Sequence, residues 1–238
     1  MRVFALYFFL LVWVSLAVSI EAILIRKEAS TYTGGGRTKE VITEYVTKRG
    51  TVTDMEVTAE VRVLESLRRE ILRVTEIRTR EGNKLVVYRV DHGSRTYVRM
   101  EVPPKAVLPT GLTGLFGSLE PAGETGRIGR WEAEKFRVSF PTPWGKGTQI
   151  LWLTKDSKDL IEAEKKRLSM LKGGVNEELI RKLEDVLNRY GAPVKTETYL
   201  HGMRRVEVVK EVSRRDIDES RLKPPKDYRR WKLWQPSP

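Results

Sequence analysis

Two histidines, no cysteine and a few adjacent acidic pairs are what this 238-residue chain offers to catalytic chemistry. A thiol nucleophile is excluded, and a serine nucleophile would need His92 or His201 as its base, oriented in turn by a carboxylate. Both histidines stand in turn sequences, Asp91-His92-Gly93-Ser94 and His201-Gly202, where a polar side chain serves the turn itself. Asp91 adjoins His92, but adjacency in sequence creates no hydrogen-bond geometry. The acidic pairs Glu177/Glu178 and Glu184/Asp185 fall at helical spacing beside Arg181 and Lys182, which suits solvation and i, i+4 pairing rather than proton transfer.

Metal and phosphate chemistry fare no better. There is no His pair, no HExxH and no calcium loop of Asp and Asn, so no metal site is expected. Gly34 to Gly36 lacks a following Lys-Ser/Thr. Gly111-x-x-Gly114-x-x-Gly117 is not GxGxxG, and Gly145-Lys146-Gly147-Thr148 lies between strands rather than at a strand-to-helix junction. The expectation is a protein that is not an enzyme and carries no cofactor.

Whatever function remains must be placed by compartment and fold. Arg2 followed by the uncharged run Val3 to Val14 has the form of an export signal, and Ala17, Ser19 and Ala22 supply small residues for cleavage. Residues 1–22 are therefore read as a signal peptide and residues 23–238 as one exported domain, in a periplasm or on the extracytoplasmic face of a cell envelope. The alternative is an uncleaved anchor, since Val3 to Ile20 reaches the lower length of a spanning helix. Export without cysteine leaves packing alone to stabilise the fold.

Charge is dense and unbalanced, with 44 basic residues against 32 acidic and a net +12. Removing residues 1–22 takes one charge of each sign, so the excess belongs to the domain. A basic surface outside the cytoplasm favours anionic lipid head groups. Nucleic acid is not an expected partner, because the basic residues are scattered and lack base-stacking aromatics.

The elements follow from period. Ile23 to Thr33 and Glu40 to Lys48 read as a hairpin about Gly34-Gly35-Gly36. Met55, Val57, Ala59, Val61 and Val63 then alternate with polar residues as a half-buried strand. Leu67 to Thr79, Leu85 to Val90 and Thr96 to Val102 continue a meander between turn signals. Val107 to Gly123 differs: Leu108, Leu112, Leu115 and Phe116 have helical spacing but are threaded by glycines, so the segment is expected to plug or flap over one end of a core. Strands Gly129 to Phe140 and Thr148 to Lys155 precede a helix capped by Asp156 or Ser157. Asn176 opens a second helix with its stripe Leu179, Ile180, Leu183, Val186, Leu187 and Tyr190. Pro193 to Leu200 and Arg204 to Val212 close the pattern. An extended tail, residues 224–238, holds Arg229, Arg230, Trp231, Lys232 and Trp234, which suit an anionic membrane surface or a last strand packed on the sheet.

Several short motifs resemble a known family. Gly129-Arg130-Trp131 leading into Lys135-Phe136-Arg137-Val138, the Trp152 strand, Gly191-Ala192-Pro193-Val194 and the ending Leu222-Lys223-Pro224-Pro225-Lys226-Asp227-Tyr228 are similar to exported bacterial proteins related to the lipoprotein-localisation fold of LolA, LolB and the RseB sensor domain. The likeness covers roughly residues 120–230, with a looser match at Thr96-Tyr97. It implies an α+β fold: a curved antiparallel sheet forming an open half-barrel, LolA-like, with a helical pair packed on it and an apolar cavity between. Such proteins carry acyl chains or sense lipidated or misfolded partners. This chain has a longer helical insertion between Asp156 and Tyr190, and no ligand-contacting residue transfers with the motifs.

The functional expectation is non-catalytic binding of an acyl chain, lipid or lipidated protein in the concave face. Leu108, Leu112, Leu115 and Phe116 of the flap and Met55, Val57, Val87 and Val98 of the strands would line it. The alternative is a protein-interaction or envelope-stress-sensing module without a lipid cavity.

Overall fold

The computed structural model describes residues 18–63, 66–102, 119–142, 145–172 and 177–231. In chain order these form β1 (Ser19–Thr33), β2 (Gly36–Val46), β3 (Gly50–Val63), β4 (Ser66–Glu81), β5 (Lys84–Asp91), β6 (Thr96–Glu101), β7 (Leu119–Ile128), β8 (Trp131–Thr142), β9 (Gly145–Thr154), α1 (Lys158–Leu171), α2 (Glu177–Tyr190), β10 (Ala192–Leu200), β11 (Met203–Asp218), a 3-10 turn (Glu219–Leu222) and β12 (Arg229–Arg230). All twelve strands join one sheet in the order β12-β6-β5-β4-β3-β2-β1-β11-β10-β9-β8-β7. Neighbours are antiparallel except β12, which runs parallel to β6. The protein is thus a mostly-sheet α+β fold whose sheet stays open, with β7 at one end and β12 at the other.

Pairing follows the alternation in the sequence. Ile23 and Ile25 of β1 are fully buried on the face that receives the helices, while Tyr45, Val52, Ile77 and Val90 gather on the opposite, outer face. β1 begins at Ser19, inside the stretch read as leader. Ser19 to Ala22 pair with Asp218 to Arg215 of β11, and Ala22 is completely buried.

The helical pair is an excursion between two strands that remain neighbours, β9 and β10. Ser157 opens α1, its hydroxyl accepting from Leu160 N–H at 3.3 Å. Leu160, Ala163, Leu168 and Leu171 of α1 and Ile180, Leu183 and Leu187 of α2 fill the main core. Asn176, the expected cap of α2, lies outside the described residues. Gly191 ends α2 by donating to the Leu187 carbonyl at 3.0 Å with φ +88°. Only glycine fits there, because an added Cβ would lie 1.8 Å from the Thr154 carbonyl oxygen.

The expected flap needs correction at one end. Leu119 to Gly123 belong to β7, where Leu119 faces Val138 and Pro121 faces Phe136 before the register shifts. Pro121 and Gly123 are tolerated because β7 is an edge strand, where one side of the backbone needs no ladder partner. Leu108, Leu112, Leu115 and Phe116 lie outside the described residues. The chain joining β6 to β7 leads from one end of the open sheet to the other.

Candidate ligand cavity

A cavity of about 300 Å³ opens between α1 and the inner face of the sheet. Its wall takes residues from β5, β4, β3, β2, β1, β11 and β10. A flat sheet would spread seven strands over roughly 29 Å at the usual spacing near 4.8 Å, so a single small cavity touching all of them requires the sheet to bend around it.

The apolar part of the wall is Ile42, Met55, Leu85, Met170, Leu171, Val194 and Val209. Of the strand residues expected to line a cavity, Met55 does so. Val57, Val87 and Val98 share its face by register, opposite Leu72, Arg78 and Arg89 respectively, but lie outside this wall.

The rest of the wall is charged, which the apolar reading did not anticipate. Lys27 Nζ lies 3.0 Å from Glu207 and 3.8 Å from Glu44. Arg167 of α1 reaches down to Glu44 on β2 and pairs with Glu164 on its own helix. Arg205 grips both carboxylate oxygens of Glu40, one at 2.8 Å, and approaches Glu207 at 3.5 Å. Arg78 pairs with Glu76 at 2.6 Å and Lys195 with Glu197 at 2.7 Å. Five cations and four carboxylates therefore line the cavity, and every cation has a carboxylate partner. The basic excess of the chain does not collect here.

These pairs hold their charges. Burial alone would raise the Glu207 carboxyl, but Lys27 and Arg205 overcome it and bring it to about 2. Burial likewise opposes ionisation of Glu44, and the Arg167 and Lys27 charges pull its pKa below the usual carboxylate range. Lys27 is desolvated too, yet Glu207 and Glu44 raise its pKa. Carboxylates held ionised cannot act as general acids near neutrality. Two Arg167 nitrogens, Nε and Nη2, are buried without a hydrogen-bond partner among the described residues, although Nη2 keeps its ion pair with Glu44.

A signal for this network exists in the sequence. Lys27 continues the inward series Ile23, Ile25, and Glu44 sits between Ile42 and Val46 at the same parity. Glu164 and Arg167 fall within the apolar stripe of α1 defined by Leu160, Leu168 and Leu171. Charges at core positions of a periodic pattern are the mark of a buried network.

The histidine near the outer face has a structural role. His92 Nε2 lies 2.8 Å from Thr75 Oγ1 and its Nδ1 3.0 Å from the Tyr228 hydroxyl, while Asp91 accepts from Gly93 N–H at 2.8 Å instead of orienting the ring. No cluster of three or more potential metal ligands occurs among the described residues.

The tail crosses the outer face. Leu222 buries itself against Val52, Ile77 and Val90, and Arg229-Arg230 then pair with Thr96-Tyr97 as β12. Both arginines are exposed, and the Trp231 ring is 67% exposed. Lys232 and Trp234 lie outside the described residues. No helix among the described residues is long and apolar enough to cross a membrane.

Compared with known proteins, the chain matches no protein-family model, no curated protein and no solved structure.

Proposed function

We propose that this is an exported, non-catalytic envelope protein that holds an acyl chain, a lipid or the lipidated part of a protein in the cavity beneath α1. The supporting observation is a wall of mixed character, in which the apolar Met55, Leu85, Met170 and Leu171 stand with the charged Lys27, Glu44, Arg167 and Glu207. An amphiphile can use both kinds of contact. A volume of about 300 Å³ stands at the lower end of small-ligand sites and suits a single chain. The bent, open sheet with a helical pair on its inner face fits the half-barrel of the lipoprotein-localisation proteins whose motifs the sequence resembles, and the run Val3 to Val14 supports export to a periplasm or extracytoplasmic surface. Ionised, paired carboxylates and the absence of cysteine favour binding over catalysis.

A protein-binding role has one observation in its favour: β7 is a largely exposed strand at the end of the sheet, with no strand on its outer side among the described residues, which suits strand addition. Native mass spectrometry of protein purified without delipidation separates the two. A lipid-sized adduct in the wild type that disappears in Met55→Trp, which fills the cavity, supports the carrier reading. A bare wild-type protein, or an adduct indifferent to Met55→Trp, defeats it.

A further inference from the structure

We infer that the β6–β12 edge is the face on which this protein lies against an anionic bilayer, with the Trp231 ring in the head-group layer and Arg229 and Arg230 on lipid phosphates. Trp231 is the most exposed large apolar side chain among the described residues, yet its backbone is fixed: its N–H donates to the Tyr97 carbonyl at 2.7 Å. Just before it, Tyr228 is bonded through its hydroxyl to His92, and Asp227 pairs with Arg95. A ring held outward on a pinned backbone gives up little chain freedom on meeting a surface, and indole is at home at head-group depth.

The charges around it are of the matching kind. Arg95 and Arg99 on the same edge are neutralised by Asp227 and by Glu81 and Glu101. Arg229 and Arg230 are exposed and have no ion pair among the described residues, which leaves two cations free for phosphate. The outer-face cluster joins Ile20, at the start of β1, to Tyr97 and Tyr228 at this edge, and the Val18 carbonyl accepts from Glu219 at the head of the tail.

The absence of cysteine provides the test. Met100→Cys places one thiol at an exposed position of β6, and Tyr199→Cys places one at an exposed position of β10, far along the sheet. Each is labelled in the full chain with an environment-sensitive fluorophore and reconstituted in phosphatidylcholine nanodiscs with or without phosphatidylglycerol. The label at 100 should shift to the blue in anionic discs alone, and the label at 199 in neither. Trp231→Ala, or Arg229→Gln with Arg230→Gln, should weaken the shift about tenfold or more in lipid titrations. An unshifted label at 100, an equal shift at 199, or equal shifts with and without phosphatidylglycerol overturns the proposal.

Discussion

Lys27 Nζ stands 3.0 Å from the Glu207 carboxylate on the neighbouring strand, and the two meet because β11 carries one extra residue between Val209 and Glu211. Register passes from Arg26↔Glu211 directly to Lys27↔Val209, so Lys210 is bulged out to solvent, where it pairs with Glu28 at 3.2 Å. Without the bulge Lys210 would oppose Lys27 on the inner face, like charge against like. The bulge therefore turns a repulsive position into the centre of the charged wall.

Removing one partner should reveal the coupling. Lys27→Met leaves Glu207 and Glu44 short of a counter-charge in a largely buried site and is expected to destabilise the protein by about 2–3 kcal/mol. Lys27→Met combined with Glu207→Leu should recover part of that loss. Urea unfolding of the two single variants and the double variant checks it, and strictly additive losses would mean that the pair is uncoupled.

Acid should undo the network over a defined range. Burial raises Glu207 and Glu197, but cations and hydrogen bonds, from Lys27 and Arg205 for the first and from Lys195, Arg204 and Tyr199 for the second, hold each at about 2 against an ordinary 4.5. Folding thus favours the ionised forms. Their stabilisation is complete above pH 4.5 and disappears as pH falls towards 2. Thermal unfolding followed from pH 6 to about 2.5 should show the midpoint falling in this window, and Glu207→Gln should be less stable at pH 6 with a flatter decline.

The first four residues of β1 should matter to folding. A chain starting at Ile23 lacks the pairing of Ser19 to Ala22 with β11, the buried Ala22 and the Ile20 contact beneath the tail. We expect it to unfold about 2–4 kcal/mol more easily than a chain starting at Val18, by loss of buried apolar area and of ladder hydrogen bonds to β11. Equal urea midpoints would show that this segment is dispensable.

Gly191→Ala should be among the most damaging single changes. The methyl would meet the Thr154 carbonyl oxygen at 1.8 Å, where backbone and not a movable side chain stands in the way, at a φ of +88°. A loss above about 4 kcal/mol, or failure to fold, is expected, measured by circular dichroism and urea unfolding.

The cavity should choose its occupant by head-group charge. Each wall cation already has its carboxylate, so a free anionic head would add a charge that no cation is left to meet. Acyl probes of equal length with zwitterionic or uncharged heads should therefore bind more tightly than fatty-acid carboxylates in fluorescence titrations. Tighter binding of the carboxylate would mean that the internal pairs open on binding.

Much of the strand order along the chain was legible in residue types, because alternation of apolar and polar residues reports directly which side of a pleated strand is buried. The hairpins at Gly34-Gly35 and Glu81-Gly82-Asn83, the Ser157 cap and the Gly191 stop all appear where turn and cap chemistry puts them. β7 was missed, since a strand interrupted by Pro121 and Gly123 has no clear period and is held by its neighbour β8. The cavity was partly legible: Met55 follows from its apolar alternation and the inward parity of Lys27 and Glu44 is readable in their strands, whereas their meeting with Arg167 and Glu207 is not, because partners far apart in sequence are joined only by the fold.

Local pattern alone thus determined most of the strands, β7 excepted, the helical pair, the lack of thiol chemistry and the basic composition, since each depends on residue types or on residues within a few positions of one another. Tertiary structure alone decided that β1 pairs with β11, that a one-residue bulge aims Glu207 at Lys27, and that the tail crosses to β6 with Trp231 outward. Those outcomes depend on register between segments as far as 193 residues apart and more, and register is settled by which faces can be buried together.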